Sequence, residues 1–310
     1  MISEILTTSF LIGILASGIR LATPYLYAAM GETLGQRSGV LNLGVEGQML
    51  LGAFAAFYVT FRTGNLWLGL GAAIVVGAAM GLAMAFVTIN LQAEQGISGI
   101  GFYLFGLGMS TLLFQMTMGT VETVSGFSPI HIPWLSDIPV LGDIFFKHNL
   151  LVYGAFLLVP IVQFVLYRTN LGLKIRAVGE NPEAADSLGV SVSLVRYITV
   201  TLGGILSAIA GASMSIATLN VFQQNMTSGL GFIAVALVYF GGWRPFGVML
   251  GALLFSMVSA LQLRLQVEGV PIPSEILVMM PYILTILALV LTVQRVRAPS
   301  ALAKSFEREG

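Results

Sequence analysis

The chain has 310 residues, 56% hydrophobic and only 9% charged, with a formal net charge of zero and a mean hydropathy of +0.91. A soluble domain carries roughly a quarter charged residues, so the composition excludes one and points to an all-α, polytopic membrane protein. The chain has no cysteine, which removes disulfides, thiolate metal sites and cysteine nucleophiles, and no basic stripe suggests nucleic acid.

In chain order, the start shows no basic region followed by a cleavage site, so no removable signal peptide is expected. Residues 5–33 form a long apolar stretch with Arg20 and Pro24, read as one kinked span. After the break "GQRSG" come apolar runs at 40–61, 66–90 and 97–118, near the length that crosses a bilayer as helix. Residues 119–149 are too polar and Pro-broken to span. The run 150–167 follows, then the charged segment 168–197, then runs at 198–219, 229–241, 246–263 and 276–294 and a basic tail, 295–310. This is one membrane domain of nine or ten spans. Gly77-x-x-x-Gly81 and Gly247-x-x-x-Gly251 have the small-residue spacing of close helix contacts. "GQMLLGAF" (47–54) weakly echoes "GVMLGALLF" (247–255), as an inverted repeat would.

Charge sets the orientation. Arg168, Lys174, Arg176 and Arg196 lie in one short loop, and Arg295, Arg297, Lys304 and Arg308 in the tail, so both are expected in the cytoplasm. The loop 119–149 is then extracellular. Simple counting gives an external N-terminus, whereas a divided segment within 5–61 would move it inside.

Segment 168–196 is about a tenth of the chain and holds seven of its 28 charged residues. Asn181-Pro182-Glu183 reads as a helix start, with an Asn cap, Pro at the first position and an acid in the first turn. Gly189 closes the helix in the left-handed region. So short a helix is unstable alone and must dock; Ala184 and Ala185 offer a small contact surface, with Arg176, Glu180 and Asp186 to fix register. An ordinary loop containing a capped helix is the plainer alternative.

Gly172-Leu173-Lys174, Arg176-Ala177-Val178-Gly179, Asn181-Pro182 and Ala184-Ala185 through Gly189 resemble the coupling loop of ATP-binding-cassette importer permeases. "GQRSGVLNLGVEGQM" and "GLGFIAVALVYFGGWRPFGVMLGALLF" (229–255) resemble two further motifs of the branched-chain amino acid, ribose and nucleoside permease family, in its nucleoside branch. Gln36 stands where an acidic or other polar residue is usual. The resemblance implies a type II importer-like permease in a bacterial plasma membrane, forming half of a pore. Its implied partners are a second related permease, two ATPase subunits docked on Gly172, Lys174, Arg176, Gly179, Glu180, Asn181, Pro182, Glu183, Ala184, Ala185, Asp186 and Gly189, and an extracellular solute-binding lipoprotein. The chain would be no enzyme and hold no cofactor; ATP would be bound by the partners, and no phosphate-cradling Gly-x-x-x-x-Gly-Lys loop is present.

The polar residues inside apolar runs are the candidates for the substrate path. A carboxylate near the bilayer centre is costly unless paired, hydrated or protonated, so Glu46 faces a cavity, a partner or the interface. Asn42 and Glu46 share a helical face, with Gln48 elsewhere and Phe54 further along; Gly39, Gly44 and Gly47 favour a broken helix. These residues either line the path or brace the break. Asn220, Phe222, Gln223, Gln224 and Phe232 suit a neutral ligand with a flat ring and hydrogen-bonding edges, or an external loop. Gln92, Glu94 and Gln95 read as an interfacial turn. His131 and His148 lie far from any carboxylate pair, so no metal site is expected. The resemblance implies nucleosides as the solute, with branched-chain amino acids or simple sugars as the alternative in the same importer class. A self-contained secondary transporter or channel and an intramembrane enzyme are the competing classes; the first leaves the docking loop without a purpose, and the second lacks a nucleophile with its base.

Overall fold

Helix α1 (Thr8–Arg37) runs without a break through Pro24. In the computed structural model, which describes residues 8–268, 273–292 and 297–307, the break expected at 35–39 falls at 38–44, after α1 has ended. A Pro inside a membrane helix is tolerated where packing re-satisfies the freed carbonyl. The tail residues Arg295 and Arg308 lie outside the described residues.

Helix α2 (Val45–Thr63) ends at Gly64, whose φ of +68° a side chain would resist, and every residue from Val45 to Phe54 is buried. Helix α3 (Leu66–Ala85) starts on an Asn65 cap and ends in a π turn at Phe86–Asn90. Helix α4 (Gln95–Thr117) starts on Glu94, whose carboxylate accepts the Gly96 and Ile97 amides. The loop from 119 carries short α5 (Leu141–Phe145). Helix α6 (Leu150–Arg168) leads into α7 (Asn170–Glu180) and α8 (Pro182–Ser187). Helix α9 (Val192–Ser213), with a π turn at Met214–Thr218, is followed by α10 (Leu230–Phe240), α11 (Pro245–Val267) and α12 (Ser274–Thr292).

By length and composition six helices can cross a membrane: α1, α3 with its π turn, α4, α6, α9 with its π turn, and α11. Buried α2, the 11-residue α10 and α12 bring the apolar helices among the described residues to nine. At 1.5 Å per residue α10 is about 16 Å long, half a bilayer, so the run at 229–241 is a half-helix and not a full span.

Helix α9 packs against α1, α2 and α3 at the centre. The Gly77 and Gly81 spacing serves that packing: a Cβ on Gly77 would meet Gly204, and one on Gly81 would lie 2.9 Å from the Thr201 Cα. Arg37 reaches Tyr167 at the loop 168–197 end, whereas Ile19 clusters with Ile144 and Val152 at the other. Helix α1 therefore runs toward the end of the bundle that carries the loop 168–197. Helices α2 and α11, which open on the two echoing segments, both run away from that end, in the same sense.

Candidate functional site

The break at 38–44 is a buried polar knot. Glu32, on the last turns of α1, accepts the Asn42 amide at 3.0 Å and Gln36 Nε2 at 2.9 Å. The Asn42 side chain accepts the Gly44 amide and donates to Gln48 Oε1. Gln95 Oε1 accepts the Leu41 amide at 2.8 Å. Three of these bonds satisfy backbone amides that the broken helix leaves open, those of Leu41, Asn42 and Gly44, which is the condition for irregular backbone among apolar helices. Asn42, Glu46 and Gln48 are all buried, and Gln48 Nε2 has no hydrogen-bond partner.

Glu46 lies in the first turn of α2, 1% exposed. Its Oε1 accepts Thr227 Oγ1 at 2.5 Å and the Gly229 amide at 2.7 Å, and Oε2 accepts the Gly231 amide at 2.6 Å. The carboxylate thus caps the N-terminus of α10 from another helix, where amide donors and the helix dipole favour negative charge. The close approach needs Gly231, since a Cβ there would sit 2.6 Å from the Glu46 Cα. The other end of α10 is held by α1. Trp243 Nε1 donates to Gln36 Oε1 at 2.7 Å, and Arg37 Nε donates to the Trp243 carbonyl at 2.9 Å. The half-helix is pinned at both ends by residues 36–46.

Sequence reasoning missed Glu32, Thr227 and Trp243, read Gln95 only as part of an interfacial turn, and discounted Gln36. Glu32 was legible as a second carboxylate in an apolar run; the others depend on contacts over more than fifty residues. The outward side of α10 carries Phe232, 37% exposed and edge-on to Tyr103 at 5.1 Å. Phe222 is buried against Phe54 at 5.4 Å and Phe114 at 5.4 Å, so Phe54 and Phe222 are core neighbours. Gln223 and Gln224 are exposed. The Asn220 carbonyl accepts the Val124 amide and Thr123 bridges Val221, tying the loop from 119 across the bundle end.

At the loop 168–197 end the capped helix forms as its sequence dictates. Asn181 Oδ1 accepts the Ala184 amide at 3.0 Å, Pro182 takes the first position, and Gly189 has φ +80°. Glu183 and Ala184 are exposed, but Ala185 is buried in the chain's own core, which corrects its expected place on the docking surface. Leu188, 84% exposed, takes that place beside Ala184. Lys174 and Glu180 are exposed; Arg176 lies over the Tyr167 ring at 5.1 Å. Gly172 and Gly179 are buried where a Cβ would strike the Val165 and Arg37 carbonyls. Arg196 is no solvated loop charge: 2% exposed, it donates to the Ser38 carbonyl at 3.2 Å and the Lys304 carbonyl at 3.1 Å. The Ala301 amide donates to Gly179 O and the Ala303 amide to Gly39 O, so the tail joins the capped-helix segment to the break.

An apolar helical bundle with a buried polar break, a half-helix pinned to it and an exposed capped helix at one end has the parts of a transport subunit, a polar interior and a docking element. Residues 14–289 match the family described as branched-chain amino acid transport system / permease component, and the chain belongs to it. It is 42% identical to an ABC transporter permease protein of Haloferax volcanii provisionally named for glucose, over 97% of this chain and 99% of that one. It is 35% identical to the guanosine ABC transporter permease protein of Bacillus subtilis, over 90% of this chain and 92% of that one. A solved inward-facing structure, provisionally described as a metal-chelate type ABC transporter, shares the fold with a TM-score of 0.52 at 15% identity, over 93% of this chain and 88% of that one. The chain is therefore a multi-pass plasma-membrane permease of an ATP-binding-cassette importer.

Proposed function

We propose that this permease forms half of the import path for nucleosides, beside a second, related permease. Two ATPase subunits dock on the cytoplasmic segment around Glu183, Ala184 and Leu188, and an extracellular solute-binding lipoprotein delivers the substrate. The chain itself catalyses nothing and holds no cofactor. The observation that carries this reading is the half-helix α10: it begins inside the bundle at Glu46 and turns Phe232 outward beside Tyr103. Aromatic faces stack on a nucleobase for about 1–3 kcal/mol per base, and exposed Gln223 and Gln224 supply amides for sugar hydroxyls. The guanosine permease of Bacillus subtilis supports a nucleoside. The Haloferax volcanii relative supports a second reading, a simple sugar, which shares the hydroxyls and lacks the base.

Competition in reconstituted vesicles decides between them. Guanosine and uridine are expected to compete for uptake while glucose and leucine do not; competition by glucose alone overturns the nucleoside assignment. Because the chain has no cysteine, Phe232→Cys gives a single thiol. A nucleoside should shield it from a water-soluble thiol reagent during turnover.

A further inference from the structure

A second feature stands at the outer end of the bundle, away from the polar break. Helices α1, α6 and α11 and the turn after α5 enclose a cavity of about 570 Å³. Its walls are apolar: Leu15 and Ile19 from α1, Val152 and Phe156 from α6, Leu253 and Met257 from α11. His148 closes one side; its Nε2 faces the Ile144 carbonyl at 2.7 Å, and its Nδ1 is buried without a hydrogen-bond partner. Two of its lining residues, Leu15 and Phe145, are exposed, so the cavity opens on an apolar surface.

Arg20 follows Ile19 on α1. It is exposed, its guanidinium donates to Ser17 Oγ at 3.1 Å, and no carboxylate pairs with it among the described residues. The neighbouring cations differ: Lys147 pairs with Asp143 at 2.6 Å, and Arg264 with Glu268 at 3.6 Å. Arg20 lies seventeen residues before Arg37 on one helix, about 26 Å at 1.5 Å per residue. With Arg37 at the cytoplasmic end, that rise puts Arg20 just inside the outer edge of a hydrocarbon layer about 30 Å thick, from which its long side chain reaches toward the phosphates. An arginine beside a membrane needs a partner or a wet environment.

We propose that the cavity holds one acyl chain of an anionic phospholipid from the outer leaflet, with the phosphate seated on Arg20. The volume falls in the range of small-ligand sites, the walls match a hydrocarbon chain, and Arg20, without a carboxylate partner among the described residues, directly follows Ile19 of the wall. The lipid would brace the outer contact between α1 and α11, where a Cβ on Gly18 would collide with the Met257 side chain.

Native mass spectrometry of the detergent-purified permease, with phosphatidylglycerol and phosphatidylcholine of identical chains as probes, tests this site. One phosphatidylglycerol should be retained in preference. Arg20→Gln should cut that retention about fivefold, the worth of one basic residue near an anionic surface, and bring the two lipids level. Leu15→Trp, which fills the mouth from an exposed position, should lower retention of both. Neither side chain is buried, so both variants should keep the parent's melting temperature. Unchanged phosphatidylglycerol retention in both variants overturns the proposal. So does a Leu15→Cys thiol that crosslinks to another permease chain in membranes while staying inert to a lipid-borne thiol reagent.

Discussion

Glu46 Oε2 accepts the Gly231 amide at 2.6 Å across 185 residues of chain. With Thr227 and Gly229 on the other oxygen, the bond makes a buried carboxylate the cap of a helix that begins inside the bundle. Removing it strands buried donors, at about 1–3 kcal/mol. Glu46→Ala is expected to lower the melting temperature in detergent and to reduce uptake. Glu46→Gln, which keeps one acceptor oxygen, should fall between Ala and the parent. An alanine variant as stable as the parent would show that the cap does not hold α10.

Gly179 lies against the Arg37 carbonyl, with no room for a Cβ. Gly179→Ala is expected to cost about 1–3 kcal/mol through overpacking and to impair uptake, because it pries the capped-helix segment from the end of α1. Gly71 on α3 has nothing within 4 Å of an added Cβ, so Gly71→Ala is the silent control. Equal melting temperatures for the two variants would rule out the close contact.

The docking assignment is tested by Leu188→Asp combined with Glu183→Arg, both exposed positions. The permease should accumulate in membranes at parental levels, lose co-purification of its ATPase subunits and lose uptake. Retained uptake removes the assignment. Ala185→Trp does not serve this test, because Ala185 is buried and the variant would fail by disrupting the permease itself.

His148 predicts a pH dependence. Burial is the main cause holding its pKa below the ordinary imidazole value, and nearby Arg20 pushes the same way, against the opposing Ile144 carbonyl bond. A carbonyl only accepts, so Nε2 carries the proton and protonation would fall on the unpartnered Nδ1. The unfolded chain therefore binds this proton more readily than the folded one. The stability contribution is full above the ordinary histidine pKa and is lost as pH falls through the lowered one. Melting temperature should drop as pH falls below the ordinary histidine value of about 6.5, and His148→Gln should flatten that drop; an unchanged slope in the variant points to other groups.

The sequence by itself determined the class of protein. Apolar runs long enough to cross a bilayer and the Asn181-Pro182 to Gly189 helix signature are local quantities: six of the runs form helices long enough to span, and the capped helix forms where its sequence places it. The two glycine spacings also marked real close contacts. Only the tertiary structure decided what the polar residues do. That Glu46 caps α10, that Gln36 and Arg37 hold its far end, that Arg196 is buried beneath the tail and that Ala185 turns inward all depend on contacts between distant segments. A hydropathy pattern says that a polar group in an apolar run needs a partner. Which partner it finds is set by how the helices cross, and crossing geometry is not written in any one helix.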